Sequence, residues 1–578
     1  MEDLFQVDKL CYIIQNNYIL DNITCTLPKN KLTTIVGASG SGKSSFLKIL
    51  SGRVKTGVVS GNIIYNNCVF DNEYIKNNSN ILYQQDLLYE NLTVYEYLKV
   101  CAQLKTFKCI DEIENKINYI LDLLELKYCK DRLIGNQLSG GEKRRVSIAI
   151  ELLGEPEIIF MDEPTSGLDS YNAYNIIQIL KKLTRQGINI ICIIHQPSKN
   201  IVDLLEYLIF LDKGKILYKG FISEIHGHFC DKNIIIPLSS NPIDYILIHI
   251  IKDIDKVNKL IYNESELIID DDLDTLNYKI IHKPTYKQFL ILTKREFKNV
   301  VRNKYLILSK LIRTLFIGIF ISIIYHKIEF NQIDIQNRSG LLFFLSINSL
   351  MGYVYTTINL FIKNKIIFTK EYDSNWYKLA PYYLSSIVAD YPLLLSLPLL
   401  TSLIIYFIVG LQKKFLNFIT FAFIITISSF CGTSIGILIG TIFNKIEPAI
   451  TITPAIILPL IIFSGFFINN NSIPRYLFWL SYLSPIKYTF HALILNEFSG
   501  LKFNCLENEY DIINGTKICP YTTGEEYIES LNFSKSLTIG INIIILSFMY
   551  VIFIILGYLI FRYKAKYNNK INYKFWNK

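Results

Sequence analysis

The fold of the first half of the chain is decided by the stretch Leu32-Thr33-Thr34-Ile35-Val36-Gly37-Ala38-Ser39-Gly40-Ser41-Gly42-Lys43-Ser44. Its apolar start predicts a strand, its glycines predict a tight loop, and the residues from Ser44 to Leu50 predict a helix. A Gly-x-x-x-x-Gly-Lys-Ser loop in this setting binds nucleotide phosphates, because backbone N–H groups and the helix N-terminus both attract anions. The loop alone predicts a nucleoside triphosphate; together with the segment Leu138–Glu142 described below, it leads us to expect an α/β P-loop ATPase domain that binds ATP and Mg²⁺.

The loop also predicts which atoms bind the nucleotide. Lys43 is expected to contact the β- and γ-phosphates, and the Ser44 hydroxyl is expected to bind Mg²⁺. The predicted nucleotide-binding residues of the loop are Gly37, Ala38, Ser39, Gly40, Ser41, Gly42, Lys43, Ser44 and Ser45.

A second apolar run, Ile158–Met161, predicts another strand of the same sheet and ends in Asp162 and Glu163. Ligands of doubly wound sheets gather at the carboxyl ends of the strands. Asp162 is therefore expected to hold Mg²⁺. Hydrolysis of the γ-phosphate depends on positioning and electrostatics, so Glu163 is expected to orient or deprotonate the attacking water.

Three more side chains are candidates for this site. His195 follows the apolar run Ile190–Ile194 and is expected to contact the γ-phosphate. Gln84 is placed to reach Mg²⁺ and the attacking water, but the adjacent Gln85 leaves the choice open from the pattern alone. Tyr12 either stacks on the adenine or packs in the core.

The second half of the chain is dominated by long runs of Ile, Leu and Phe. A bilayer core about 30 Å thick needs roughly 20 apolar residues for each spanning helix. Six runs are candidate spans, namely residues 305–326, 339–362, 384–410, 415–442, 448–468 and 537–561. We expect an all-α six-helix transmembrane domain, and without a signal peptide the first half is expected to remain in the cytosol.

The net charge of +9 is explained by basic residues beside the membrane segments. They precede the first span and follow the last, so the positive-inside rule predicts that both termini are cytoplasmic. This placement argues against a nucleic-acid partner. Arg313 lies inside the first apolar run and is expected to sit near the inner surface and snorkel.

The eleven cysteines divide along the same line. Eight of them precede residue 285 without paired spacing and are expected to be reduced core thiols. Cys505 and Cys519 lie in the large predicted external loop, residues 469–536, where oxidising conditions make a disulfide plausible.

The order of these motifs resembles that of the ATP-binding cassette (ABC) transporters. The segment Leu138-Ser139-Gly140-Gly141-Glu142 lies between the phosphate loop and Asp162, and Ser166-Gly167-Leu168-Asp169 follows. The resemblance implies that Ser139, Gly140 and Gly141 face the ATP held by a partner subunit, and that Asp169 lies at the dimer seam. Spacing from the element Leu92-Thr93-Val94 also selects Gln84 over Gln85.

An ATP-binding half followed by six spans is similar to the G subfamily of half-transporters, the white and breast-cancer-resistance type. Asn375 stands where this subfamily prefers glycine, so we expect a different local turn. The matching segments are Asn241-Pro242-Ile243-Asp244-Tyr245, Phe368-Thr369-Lys370-Glu371, Phe463-Ser464-Gly465-Phe466-Phe467, Ser484-Pro485 and Asn496-Glu497-Phe498.

The resemblance also implies a substrate cavity. Asn348 matches a cavity residue of the drug-exporting member, but Met351 stands in place of its phenylalanine, which replaces a flat stacking surface with a flexible side chain. Phe466 and Phe467 occupy the place of a leucine pair that closes the cavity. Packing in the core or against lipid is the alternative for both.

The predicted organisation follows from these motifs. The segments are an ABC nucleotide-binding domain at 1–250, a linker at 251–285, an amphipathic connecting helix at 286–304, a six-span transmembrane domain at 305–562 and a basic cytoplasmic tail at 563–578.

The sequence predicts ATP-driven export of hydrophobic or amphipathic compounds, such as lipids, sterols or xenobiotics. The expected partners are a second half-transporter in a homodimer or heterodimer, membrane lipids and a hydrophobic substrate. The alternatives are a non-pumping regulator or channel gated by ATP, an importer, and a soluble cassette ATPase acting on nucleic acid. We expect a multi-pass protein of the plasma membrane in preference to an internal membrane.

Overall fold

The computed structural model describes residues 3–237, 240–251, 260, 283–468, 473–505, 511–513, 516–533, 536–567 and 572–574. The chain forms two units. The cassette unit comprises residues 1–299, 367–382 and 566–578, and the helical unit comprises residues 300–366 and 383–565. The segment around Glu371 therefore belongs to the cassette unit, although it lies between apolar helices in the sequence.

The cassette unit is built on a six-stranded sheet in the order β10-β9-β3-β8-β7-β6, in which all neighbours are parallel except β9 and β10. A second sheet pairs β13, β4, β1 and β2, with β5 added to β4. The strands are β1 (Asp3–Ile14), β2 (Asn17–Pro28), β3 (Leu32–Gly37), β4 (Val58–Tyr65), β5 (Cys68–Val69), β6 (Ser79–Leu82), β7 (Ile158–Asp162), β8 (Asn189–Ile193), β9 (Tyr207–Asp212), β10 (Lys215–Phe221) and β13 (Asn572–Lys574).

Ten α-helices of the described residues accompany these sheets. Strands β3 and β9 are buried at every residue, which is the pattern of parallel strands covered on both faces. The helices are α1 (Lys43–Leu50), α2 (Asn72–Asn78), α3 (Val94–Lys105), α4 (Ile110–Leu123), α5 (Gly140–Leu152), α6 (Ser170–Arg185), α7 (Lys199–Val202), α8 (Ile225–Asp231), α9 (Pro242–Tyr245) and α10 (Thr285–Arg302).

The helical unit is all-α apart from a short hairpin, as the apolar runs predict. Its hairpin pairs β11 (Asp511–Ile513) with β12 (Thr516–Ile518). Its helices are α11 (Lys304–Ile324), α12 (Gln332–Asp373, whose last turns belong to the cassette unit), α13 (Leu379–Ala389), α14 (Tyr391–Val409), α15 (Phe415–Ile442), α16 (Ile446–Ile462), α17 (Phe478–Tyr482), α18 (Pro485–Phe498), α19 (Gly524–Ser530) and α20 (Ile539–Tyr567).

Five of the six predicted spans coincide with helices of the described residues that are long and apolar enough to cross a membrane. The remaining prediction, residues 448–468, corresponds to α16, which has 17 residues. Pro454 and Pro459 lie inside α16, where proline removes backbone donors and bends a helix. At 1.5 Å per residue its length is about 26 Å, slightly less than the bilayer core.

The remaining predicted boundaries differ in detail. The connecting helix was expected at 286–304, but α10 ends at Arg302 and Asn303 caps α11 by accepting a hydrogen bond from the Leu306 backbone N–H. The predicted linker, 251–285, lies largely outside the described residues.

Close helix packing in the helical unit depends on glycines of α15. A Cβ atom at Gly432 would lie 2.4 Å from the Leu350 carbonyl oxygen of α12, and one at Gly436 would lie 2.8 Å from the Val354 oxygen. Glycines four residues apart place both contacts on one face of α15. The two helix backbones therefore approach each other as small residues allow in membrane bundles.

The predicted external loop, residues 469–536, carries the one disulfide of the described residues. Cys505 and Cys519 are bonded, with their Cα atoms 6.0 Å apart. Helix α18 of this loop is almost entirely buried, and its Glu497 accepts a hydrogen bond from the buried Arg338 of α12. The loop is thus partly built into the core of the helical unit.

Candidate functional site

The predicted catalytic residues meet at one edge of the six-stranded sheet. Strands β3, β6, β7 and β8 run parallel, so their carboxyl ends lie on the same side. The phosphate loop follows β3, Gln84 follows β6, Glu163 follows β7 and His195 follows β8. The topology therefore produces the convergence that the sequence motifs predict.

The phosphate loop has the geometry of an anion cradle. Gly42 caps α1 with φ 98°, and a Cβ atom there would lie 2.9 Å from the Ile19 carbonyl oxygen, so the turn requires glycine. The Lys43 ammonium donates to the Gly37 and Ala38 carbonyl oxygens, at 3.0 and 2.7 Å. The Ser41 hydroxyl is buried without a hydrogen-bond partner among the described residues. These donors fit the phosphates of a nucleotide.

The remaining residues of the predicted loop differ in exposure. Ser39 and Gly40 are exposed, whereas Ala38 and Ser45 are half-buried. Burial lowers the pKa of the Lys43 ammonium, although Glu163 and Asp162 oppose that shift.

Two oxygen ligands for a cation are adjacent at this edge. The Ser44 hydroxyl donates to Asp162 Oδ1 at 3.4 Å. Burial raises the pKa of the Asp162 carboxyl, and the neighbouring Glu163 adds to that shift. A hydroxyl beside a carboxylate that is itself crowded by a second carboxylate fits Mg²⁺, which prefers oxygen ligands and supplies charge neutralisation when bound.

Gln84 contacts the predicted catalytic glutamate. Its Nε2 donates to Glu163 Oε2 at 2.8 Å, so the glutamine that the motif spacing favours lies against this carboxylate. Glu163 has φ 50° and Gln196 has φ 45°, in the left-handed region. Such strain costs on the order of 1–3 kcal/mol for each residue and is concentrated at functional sites.

His195 and Tyr12 have different environments. His195 lies exposed directly beyond β8, at the edge that carries Gln84 and Glu163. Tyr12 is only 4 % exposed, and its hydroxyl donates to the Thr56 carbonyl oxygen at 2.7 Å. Tyr12 therefore packs in the core, which was one of the two predicted alternatives, and its ring face is not free to stack on adenine.

The signature segment, Leu138-Ser139-Gly140-Gly141-Glu142, lies at the start of α5. Ser139 caps the helix by accepting from the Glu142 N–H at 3.3 Å, and Glu142 Oε2 accepts from the Ser139 N–H at 2.6 Å. Burial alone would raise the pKa of the Glu142 carboxyl, but hydrogen bonds from Tyr128 and Ser139 lower it. Ser139 and Gly140 remain exposed at the start of the helix.

Asp169 lies beside this helix start. It caps α6 and accepts hydrogen bonds from the Asn172 N–H and Nδ2, at 2.8 and 2.7 Å. A Cβ atom at Gly141 would lie 2.9 Å from the Asn172 side chain. Gly141 is thus required for the close approach of the two helix N-termini that carry the signature segment and Asp169.

Arg144 is a residue of the site that the sequence did not predict. Its guanidinium donates to the carbonyl oxygens of Tyr83, Pro164 and Glu163, at 2.7, 3.1 and 2.9 Å. It also bonds Asp86 Oδ1 at 3.0 Å, and its side chain is 2 % exposed. One side chain of the signature helix therefore fixes the segments that carry Gln84 and Glu163.

The basic run Lys143-Arg144-Arg145 concealed this role, because such runs are usually solvated. Helical spacing is the signal that could have revealed it. Gly141, Arg144 and Ser147 are three residues apart, lie on one face and are buried, and the Ser147 hydroxyl donates to the same Asp86 oxygen at 2.8 Å.

The segment around Glu371 is bound within the cassette unit by a buried ion pair. Arg295 Nη1 of α10 lies 2.9 Å from both Glu371 carboxylate oxygens, and the Tyr377 hydroxyl donates to the same carboxylate. Arg295 Nη2 also reaches Glu296 Oε1 at 3.0 Å. The side chains of Arg295, Glu296 and Glu371 are each only a few per cent exposed or less. The cluster is therefore a buried junction from which water is excluded.

A second buried carboxylate binds the same segment. Glu151 of α5 lies 3.1 Å from the Lys105 ammonium and 2.9 Å from that of Lys370. Asn375 has φ 55°, a conformation that favours glycine and that asparagine tolerates, and it donates to Asn77 at 2.7 Å. Asn375 thus adopts a left-handed backbone, which glycine would also allow.

The predicted substrate-cavity residues of the helical unit are not gathered around one space. Asn348 lines a cavity within this unit, whereas Met351 packs against the core. Phe466 stacks on Phe343 with ring centroids 4.3 Å apart, and Phe467 is 63 % exposed.

Two family models cover the two halves of the chain. Residues 20–166 match the model described as ABC transporter, and residues 287–498 match that described as ABC-2 type transporter. A further ABC-2 type transporter model matches residues 195–270.

Full-length relatives align with most of the chain. "Broad substrate specificity ATP-binding cassette transporter ABCG2" of Mus musculus is 30% identical over 593 residues, which cover 93% of this chain and 89% of that protein. "Protein white" of Drosophila melanogaster is 29% identical over 580 residues, which cover 95% and 84%. "ABC transporter G family member 4" of Arabidopsis thaliana is 29% identical over 500 residues, which cover 85% of each chain.

Proposed function

The chain belongs to the G family of ABC transporters, and we propose that it exports hydrophobic or amphipathic compounds, such as lipids, sterols or xenobiotics, as a dimer of half-transporters. The cassette and the similarity to ABC transporters over most of the chain together make the protein an ATP-hydrolysing membrane transporter. The similarity to a transporter of broad substrate specificity supports a range of substrates over a single one.

In the proposed reaction, the phosphate loop binds ATP, with Lys43 on the β- and γ-phosphates. Ser44 and Asp162, joined by a hydrogen bond, would hold Mg²⁺ with Gln84. Glu163 orients or deprotonates the attacking water, and His195 contacts the γ-phosphate. The 2.8 Å bond between Gln84 and Glu163 supports this assignment, because it puts the nucleotide-sensing and water-activating groups in contact.

We propose that two chains complete each other's sites. Ser139 and Gly140 are exposed at the positive end of α5, where they are available to the ATP of a partner chain. Asp169 lies beside them at the proposed dimer seam. Because ATP would bind the closed pair better than the open one, ATP binding shifts the pair towards closure.

The buried pair of Arg295 and Glu371 is the observation that carries the proposal of a pump. It fastens the last turn of α12 to α10. Helix α12 is itself apolar, and α10 is followed by the apolar helix α11. Movement of the cassette would therefore be transmitted along the chain to the membrane domain. We place the protein in the plasma membrane, with both termini in the cytoplasm.

The test is ATP hydrolysis and vesicle transport by the purified protein in lipid, across a panel of sterols, phospholipids and drugs. We expect one class to stimulate hydrolysis and to accumulate inside inside-out vesicles. Glu163→Gln should abolish both activities while ATP binding remains. Glu157→Gln, on the loop before β7, is the matched control and should keep both. ATP hydrolysis that no compound alters, without transport, would contradict the pump.

A further inference from the structure

Arg313 lies in the middle of an apolar helix. It is the tenth of the 21 residues of α11, so at 1.5 Å per residue it lies about 14 Å beyond Lys304 and about 17 Å before Ile324. This position differs from the inner-surface location that the sequence suggested. An arginine at such a depth is costly, and in membrane proteins it usually marks a functional site.

The guanidinium has one hydrogen-bond partner among the described residues. Its Nη1 donates to the Gly352 carbonyl oxygen of α12, and its carbon lies 5.3 Å from the centre of the Tyr353 ring. Arginine carries five N–H donors, so most of them are left for another acceptor. No carboxylate of the described residues lies within ion-pair distance of Arg313.

The neighbouring cation is neutralised differently. Lys310, one turn earlier on α11, is buried and lies 3.8 Å from Asp390 at the start of α14. The described part of this bundle face thus has two cations and one carboxylate. Because Asp390 pairs with Lys310, the positive charge of Arg313 has no carboxylate partner among the described residues.

Arg313 opens onto a partly open cavity of about 30 Å³ that is lined by residues of α11, α12, α14 and α15. Polar side chains line part of the cavity. The Ser402 hydroxyl is buried and has no hydrogen-bond partner among the described residues, and the half-buried Asn348 side chain lies beside it in the lining. A buried polar atom without a partner calls for a ligand or water to satisfy it.

We propose that this cavity binds the carboxylate head group of an amphiphile, with Arg313, Asn348 and Ser402 as its ligands. About 10–15 Å³ of such space holds one water molecule, so 30 Å³ suits the two oxygens of a carboxylate. A carboxylate also supplies the missing negative charge and accepts from a guanidinium in a bidentate manner. This inference rests on the proposed function and narrows its substrates to anionic amphiphiles.

The test is equilibrium binding of labelled oleate and labelled oleyl alcohol to the full-length protein in phosphatidylcholine nanodiscs, with empty nanodiscs subtracted. The two probes share a tail and differ in the head group. We expect oleate to bind at least about tenfold more tightly than the alcohol, the factor carried by one charge-assisted hydrogen bond. Arg313→Gln should remove that difference without changing the affinity for the alcohol.

The controls separate charge from structure. Lys304→Gln removes a positive charge from the same helix at an exposed position and should leave both affinities unchanged. Arg313→Lys should retain part of the preference for oleate. Ser402→Leu fills the cavity and should weaken oleate binding. If Arg313→Gln does not fold, Ser402→Leu and Arg313→Lys test the proposed carboxylate site in its place.

Three outcomes would overturn the proposal: equal affinities in the wild type, an undiminished preference in Arg313→Gln, or displacement of oleate by acetate at equal concentration. Hydrolysis of ATP measured with the same probes separates this site from the pump. Tighter binding of oleate than of oleyl alcohol, without stimulated ATP hydrolysis, would contradict the proposed pump and support the carboxylate site. Equal stimulation of ATP hydrolysis by both probes would support the pump and contradict the carboxylate site.

Discussion

At the scale of the residue, Arg144 shows how one side chain connects motifs that are far apart in sequence. It donates from the signature helix to the backbone beside Gln84 and Glu163. The planar guanidinium serves these acceptors in several directions at once, which a lysine ammonium cannot do. Arg144 is therefore a positioning residue for the catalytic pair.

Replacing Arg144 with lysine should lower kcat for ATP hydrolysis at least about tenfold, because several hydrogen bonds to a charged donor are lost together. The KM for ATP should change little, since the phosphate loop is untouched. Steady-state kinetics of the protein in lipid would measure both constants. Lys143→Gln, the neighbouring residue of the basic run, should leave kcat unchanged. Equal kcat values for wild type and Arg144→Lys would contradict the positioning role.

The positions that could be predicted from the sequence are those where a motif fixes both the residue type and the backbone. The phosphate loop, Asp162 and Glu163 are of this kind, because each terminates a strand of the sheet. The burial of Arg144 and Arg295 was not predicted, because it depends on hydrogen-bond acceptors from distant segments. A charged residue in a basic stretch normally faces water.

At the scale of the element, the limits of prediction concern helix ends. Five apolar runs form helices that are long enough to span a membrane, because about 20 consecutive apolar residues favour such a helix. The shorter α16 is interrupted by two prolines. The long α12 exceeds its apolar run at both ends. Polar residues extend it, and hydropathy alone does not record them.

The junction between α10 and the last turn of α12 supplies the next prediction. Glu371→Gln removes the carboxylate that faces Arg295 and leaves a buried guanidinium with Glu296 as its remaining ionic partner. Breaking a buried pair costs about 3–5 kcal/mol, so we expect a clear fall in the thermal midpoint of the full-length protein and loss of substrate-stimulated hydrolysis.

Asp373→Asn is the matched control on the same segment. Asp373 pairs with Lys55 at 2.5 Å, but the Lys55 side chain is 40 % exposed. Exposed pairs contribute at most about 1 kcal/mol, so the midpoint should shift little. Similar shifts for the two variants would show that burial of the Arg295–Glu371 pair is not what holds the segment.

At the scale of the whole molecule, the proposed dimer completes each ATP site with cassette motifs from two chains. Within one chain the phosphate loop and the signature segment belong to separate elements, α1 and α5, and both Ser139 and Gly140 are exposed. Each ATP would then contact Lys43 of one chain and Ser139 of the other.

Mixed dimers test this arrangement directly. We would pair a Lys43→Ala chain with a Ser139→Arg chain, both carrying Glu163→Gln so that bound ATP is not consumed. In the mixed dimer one site then has both lesions and the other has none, because an intact Lys43 meets an intact Ser139. We expect one slowly exchanging ATP per mixed dimer, isolated by two different affinity tags, and none in either parent dimer.

This result would follow from geometry alone, since the site that retains ATP contains only the wild-type Lys43 and Ser139. If each site were instead completed within one chain, both chains of the mixed dimer would be defective and no ATP would be retained. Two retained ATP molecules would mean that neither substitution disables its half of the site. Only a site shared between two chains produces retention of a single ATP from two defective parents, and the same logic extends to a heterodimer in which one natural partner carries a degenerate cassette.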